Sequence, residues 1–198
     1  MSIHSGGILL NQQNKKEIIR LAAVKVIAKN GFYTTTISQI AEEAKIAVGT
    51  IYNYFDQKED ILEYIFRVEL EKRINYLQGV REKNISFWEK LKSFLEFHFS
   101  EFENNLDVAK ILIREKVFPR SIGSGAFSEY MFKLPEEIEE IIIKAMKEGV
   151  IQDCNPELIS GIIFGGIQGI VGKGIKNNNT ELFKQAPQSI IELLKDGM

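Results

Sequence analysis

The chain has 198 residues, enough for one compact domain or for a small domain joined to a larger one. With 44% hydrophobic and 26% charged residues it has a globular composition that excludes extended disorder, and its one cysteine, Cys154, excludes an internal disulfide. A net charge of −2 counts against a broadly basic nucleic-acid binder, although residues 1–60 alone carry seven Lys or Arg against six acids. That leaves a head of +1 on a body of −3.

Residues 1–12, rich in Gly, Ser and Gln, are expected to be a disordered arm. Within them Ile8–Leu10 is too short for a secretory signal and follows no Lys or Arg, so a cytoplasmic location is expected. A helical period starts near Asn14, with Ile18, Leu21, Ala22, Lys25, Val26 and Ala28 at three-to-four spacing. It ends at Asn30-Gly31, a C-terminal helix signal. Thr35 or Thr36 caps a second helix, and Thr36 with Gln39 has capping-box spacing. The third helix is expected over Val48–Tyr54, with Val48, Ile51 and Phe55 on the core arc. Gly49, Thr50, Asn53 and Tyr54 then face outward, with Tyr52 on the flank.

Asp56 is expected to cap a fourth helix whose stripe runs through Ile61, Leu62, Ile65, Phe66 and Leu70. Further helices are expected near residues 68–83, 87–102, 105–117, 127–148, 156–175 and 180–195, with a loop at Pro119 to Gly125. Asn155-Pro156 is a cap followed by proline at the first helical position. No strict alternation suggests a strand, so the chain reads as all-α. A tri-helical head at 13–57, of the helix-turn-helix type that enters DNA grooves, precedes a helical body at 58–198. The uncharged run from Leu158 to Gly172 is about 15 residues and glycine-dense, shorter than the ~20 that span a bilayer, so no membrane partner is expected.

The head resembles that of TetR-family transcriptional regulators. The matching residues are Gly31-Phe32, Thr35-Thr36, Ile40-Ala41, Gly49-Thr50-Ile51-Tyr52, Tyr54-Phe55 and Lys58-Glu59-Asp60-Ile61. Two positions depart from the family pattern. Lys45 replaces the usual turn glycine, at a cost of roughly 1 kcal/mol, and Ala47 gives up a side-chain cap. The resemblance implies a DNA-binding regulator. Thr35 or Thr36, Thr50, Tyr54 and Lys58 would meet phosphates, and Tyr52 and Asn53 base edges. Gly49 would allow close approach, and an outward-turned Val48 a thymine methyl. Packed tyrosines are the alternative reading of Tyr52 and Tyr54.

One head reads one half-site, so a homodimer on a palindromic double-stranded operator is implied. Gly161, Gly165, Gly169 and Gly172 share one helical face and form the candidate dimer interface, with the helix near 135–148 as its partner. Close packing within the chain is the alternative. The resemblance also implies a body pocket for a small hydrophobic or amphipathic ligand. On the aromatic helix at 87–102, Phe94, His98 and Phe102 are candidate lining residues, with Arg114 or Arg120 as anion partners. Within the family, the head and the segment IIFGGIQGI are most similar to fatty-acid-degradation repressors of Bacillus-type bacteria, which implies long-chain acyl-CoA as the effector. Two histidines, His4 and His98, with one cysteine and no metal-spaced cluster, argue against an enzyme and against a metal or cofactor. A helical adaptor without DNA contact is the rival reading.

Overall fold

The structure, a computed structural model, describes residues 4–115 and 125–197. Its helices are α1 (His4–Asn30), α2 (Ile37–Ala44), α3 (Val48–Tyr52), α4 (Lys58–Arg81), α5 (Phe87–Asn104), α6 (Leu106–Arg114), α7 (Ala126–Lys147), α8 (Pro156–Lys176) and α9 (Glu181–Gly197). No strand occurs among the described residues. The chain divides into two compact units, one ending at Phe66 and one beginning at Arg67. α4 therefore contributes to both, and the helix expected at 68–83 is its continuation.

α1 begins at His4, so most of the expected N-terminal arm is helical. Once a helix is nucleated, each further residue adds a hydrogen bond, and no proline stops α1 from propagating backwards. The buried face of α1 is Ile19, Ala22, Ala23 and Ile27, whereas Leu21 is exposed. Gly31, at φ 82, ends the helix by returning its N–H to the Ile27 carbonyl at 2.7 Å.

α2 starts with the expected capping box. The Gln39 N–H donates to Thr36 Oγ1, and the Thr36 N–H donates to Gln39 Oε1. It ends at Lys45, which takes the left-handed conformation at φ 54 and ψ 44 that the sequence predicts at some cost. Ala47 then starts α3 without a side-chain cap. α4 is entered differently from the expectation. The cap position is Gln57 rather than Asp56, and Asp60 Oδ2 accepts from the N–H groups of both residues at 3.0 Å. The core of the head is Ile19, Ile27, Phe32, Ile40, Ile51 and Phe55, closed by Ile61, Leu62 and Ile65 of α4.

In the body, α5 packs on α9, and α7 on α8, while α6 and α9 also lie against α8. α8 runs 21 residues and is long and apolar enough to cross a bilayer by length and composition, beyond the 15 residues expected from its uncharged run. Its inner face, Ile163, Phe164, Ile167 and Val171, is buried against these neighbours. Arg81 of α4 bonds Glu137 of α7 at 2.9 Å at the rim of the same unit.

Among the described residues of the head, Lys45 is the one place where local conformation and residue type disagree. Lys45→Gly should stabilise the protein by about 0.5–1 kcal/mol in urea denaturation. An unchanged midpoint would mean that the left-handed turn carries no strain.

Candidate DNA-binding face and buried effector site

α3 has five residues and depends on its surroundings for its position. Ile51 and Phe55 anchor it from below, at 0% and 5% exposure. The turn after it is closed by the Tyr54 and Phe55 N–H groups, which both bond the Ile51 carbonyl, at 2.9 and 3.0 Å. Outward stand Gly49, Tyr52 and Asn53, with Thr50 and Tyr54 half-buried beside them. Tyr52 is 52% exposed and so does not serve as a packing residue. Val48, placed on the core arc by the helical wheel, is exposed, because at the first position of so short a helix nothing lies over it. A Cβ on Gly49 would meet nothing within 4 Å, so this glycine is not required by the fold.

Two expected phosphate ligands have other work in this structure. Thr35 is buried and its Oγ1 donates to the Gly31 carbonyl at 2.8 Å, which leaves Thr36 as the exposed threonine of the pair. Lys58 is not a free cation. Its Nζ donates to the carbonyls of Phe32 and Thr35 at 2.7 Å each, approaches that of Tyr33 at 3.4 Å, and lies 4.4 Å over the Phe32 ring. It ties the loop between α1 and α2 to the start of α4. Tyr33, at 69% exposure next to the α2 cap, is an outward aromatic that the sequence reading did not single out.

In the body, Phe94, His98 and Phe102 come together in the interior, all at 0% exposure. His98 lies 4.9 Å from Phe102 and 5.5 Å from Phe94, centroid to centroid. Arg114 does not join them. It is the last residue of α6 and is exposed. Arg120 and most of the expected loop lie outside the described residues.

The interior cation is instead Arg73 of α4, fully buried, with Nη1 donating to the Glu69 carboxylate at 2.7 Å and to its backbone carbonyl at 2.8 Å. Its guanidinium sits 4.8 Å from the Phe102 ring and 5.8 Å from that of Tyr130. Burial opposes the charge, but the fields of Tyr130, Glu69 and Glu101 outweigh it and hold Arg73 above its ordinary pKa. The sequence signal was the placing of Glu69 and Arg73 inside the stripe Phe66, Leu70, Ile74 and Leu77. A Glu–Arg pair four residues apart otherwise reads as a surface pair. Burial, reinforced by the Arg73 cation, pushes His98 well below 6.5 and keeps it neutral.

The glycine face of α8 is split. Around Gly161, Gly165 and Gly169 a Cβ would find open space, and Leu158 and Ile162 beside them are each 62% exposed. Gly172 turns inward, where a Cβ would stand 3.6 Å from the Ile113 side chain. The glycine that packing does require is Gly174, where a Cβ would stand 2.5 Å from the Phe183 ring. Between α7 and α8 lies a groove of about 570 Å³ lined by Phe132, Pro135, Glu139, Gly161 and Phe164. No metal-holding group of His, Cys, Asp and Glu occurs among the described residues.

Two variants separate structure from ligation. Lys58→Met should lower stability by about 2 kcal/mol by leaving the loop carbonyls unpaired, measured by chemical denaturation of the free protein. No loss would restore Lys58 as a free phosphate ligand. His98 has a folded pKa below its unfolded value, so its neutral form contributes stability that is full above pH 6.5 and is lost as pH falls below it. The loss should run at about 1.4 kcal/mol per pH unit, and His98→Leu should flatten that part of the stability curve. An unflattened curve would place the acid lability elsewhere.

Comparison with known proteins agrees with the all-helical fold. Residues 19–65, from α1 into α4, match the family of bacterial regulatory proteins called the tetR family. The fatty acid metabolism regulator protein of Bacillus subtilis is 28% identical over 178 residues, covering 89% of this chain and 92% of that protein. The crystal structure of the transcriptional regulator FadR from Bacillus subtilis, in complex with stearoyl-CoA, superposes with a TM-score of 0.83. It has 29% identity over 92% of this chain and 98% of that one. The regulator HbdR of an Aromatoleum species is 51% identical, but over 53 residues that make up 27% of this chain and 23% of that protein. With residues 19–65 matching the family model and 92% of the chain superposing on such a regulator, the head is that of a TetR-family transcriptional regulator.

Proposed function

We propose that the protein is a repressor that binds a palindromic DNA operator as a homodimer and leaves it when a long-chain acyl-CoA enters the body. The observation that carries the DNA half is the outer surface of α3, where Gly49, Thr50, Tyr52 and Asn53 are presented by a helix whose own core contacts are Ile51 and Phe55. Thr50, Tyr54 and Thr36 offer hydroxyls to phosphates, which set register, while Tyr52 and Asn53 reach base edges. Val48 adds an apolar contact, and the open space at Gly49 admits the sugar-phosphate chain. Lys58 acts in this scheme through the loop it holds.

The effector half is supported by the buried aromatic interior around Phe94, His98 and Phe102 and by the stearoyl-CoA held by the Bacillus subtilis regulator. The dimer half is supported by the exposed apolar stripe Leu158, Gly161, Ile162, Gly165 and Gly169 on α8, with Leu193 of α9 also 73% exposed. Small residues in line let two helix backbones approach closely, and two-fold pairing sets the heads about 34 Å apart, one turn of DNA. Binding and release, without catalysis, is the activity, and the cytoplasm is where it is exercised.

The purified dimer should retain operator DNA with an affinity whose logarithm falls with log salt by roughly 0.9 for each phosphate neutralised. Asn53→Ala and Tyr52→Ala should each cost about 1–3 kcal/mol of discrimination among sequences. Gly49→Leu should lose DNA with the fold intact. Stearoyl-CoA should raise thermal stability and weaken operator binding together. DNA binding indifferent to sequence and to these substitutions would overturn the DNA half, and an effector series that shifts neither quantity would overturn the other. Gly165→Leu should yield monomers in sedimentation, and an unchanged dimer would remove α8 from the interface.

A further inference from the structure

The interior of the body contains polar atoms with no partner among the described residues. On Arg73 they are Nε and Nη2, on His98 both ring nitrogens, and on Gln168 of α8 both amide atoms. Arg73 and His98 are 0% exposed and Gln168 is 8% exposed. Leaving such groups unpaired is costly, most of all for a cation, and native interiors leave few. Here they occur within one neighbourhood. The Arg73 guanidinium and the His98 ring both stand against Phe102, at 4.8 and 4.9 Å. Tyr130, 5.8 Å from Arg73, also meets Phe164, one turn before Gln168.

Which atoms are unpaired is informative. Nε and Nη2 form the side edge of a guanidinium, where two parallel N–H bonds match the two oxygens of a carboxylate. Arg20 of this same chain shows the match, with Nε 2.8 Å from Glu17 Oε2 and Nη2 2.7 Å from Oε1. In Arg73 the Glu69 carboxylate takes Nη1 instead, and the two-toothed edge stays open. Beside it stands the Phe102 ring, and His98, which adjoins Phe102, also meets Phe94 and Phe99 of α5, all of them buried.

We propose that the body also takes a free apolar carboxylic acid, its carboxylate gripped by the Nε–Nη2 edge of Arg73 and its chain among the phenylalanines of α5. This rests on the body being the effector-binding unit and adds a ligand class, an unesterified acid buried head-inward, to the thioester proposed above. His98, neutral in this setting, and Gln168 offer further hydrogen bonds to the same head group.

The test is calorimetric titration of the full-length protein with palmitate, methyl palmitate and stearoyl-CoA, with thermal shifts in parallel. Palmitate should bind at least tenfold more tightly than its ester, which keeps the chain and loses the charge. Arg73→Met, and the pair Glu69→Gln with Arg73→Met as the version that strands no buried charge, should bring palmitate down to the affinity of the ester. Equal binding of acid and ester, or palmitate affinity unmoved in a folded Arg73 variant, would overturn the proposal. Stearoyl-CoA binding with no palmitate binding would overturn it while leaving the effector reading standing. Binding of none of the three would remove that reading and this inference together.

Discussion

A five-residue helix has no stability of its own, and the head can be understood as the means of holding α3 in place. Ile51 and Phe55 fix its depth, the capping box at Thr36 and Gln39 fixes the start of α2, and Lys45 makes the left-handed turn between the two. Lys58 draws the carbonyls of the preceding loop toward α4. Because these devices are spent below and behind α3, its outer residues need satisfy no structural demand. That freedom is what a base-reading surface requires, since its side chains must be chosen for DNA alone.

The body obeys a different constraint. Its interior is mostly aromatic and aliphatic, yet α4 carries a full ion pair, Glu69 and Arg73, into it. A buried pair of this kind seldom adds stability over apolar packing, because desolvation offsets most of the attraction. Its presence, with a neutral imidazole and an amide nearby, is better explained by recognition than by folding. α4 thus carries one charged group engaged inward in each unit, Lys58 in the head and Arg73 in the body.

How far the sequence discloses this depends on how local each feature is. The capping box, the strained Lys45, the uncapped Ala47 and the all-α order from α5 to α9 are set by neighbours a few residues apart, and all are legible. Residues whose fate depends on distant backbone are not. Lys58 reads as a free cation until the carbonyls of Phe32 and Thr35 are brought to it, and Thr35 reads as equivalent to Thr36 until one is buried. Val48 and Leu21 fall on apolar arcs of a helical wheel, which gives an angle and says nothing of whether a neighbour lies over it. Arg73 was hidden by its own partner, because Glu69 four residues earlier makes it look like an ordinary surface pair. On α8 the spacing puts Gly161, Gly165, Gly169 and Gly172 on one face, but spacing alone could not separate the three with open space around them from Gly172, where a Cβ would meet Ile113.

If operator and effector act on one protein through one equilibrium, their effects on each other must be equal in size. The measurement is operator affinity with and without saturating stearoyl-CoA, and stearoyl-CoA affinity with and without saturating operator, at one salt concentration. A ligand-released repressor should show the same factor in both directions, at least about fivefold. A factor of one in both directions would mean that the body does not govern the grip of the head.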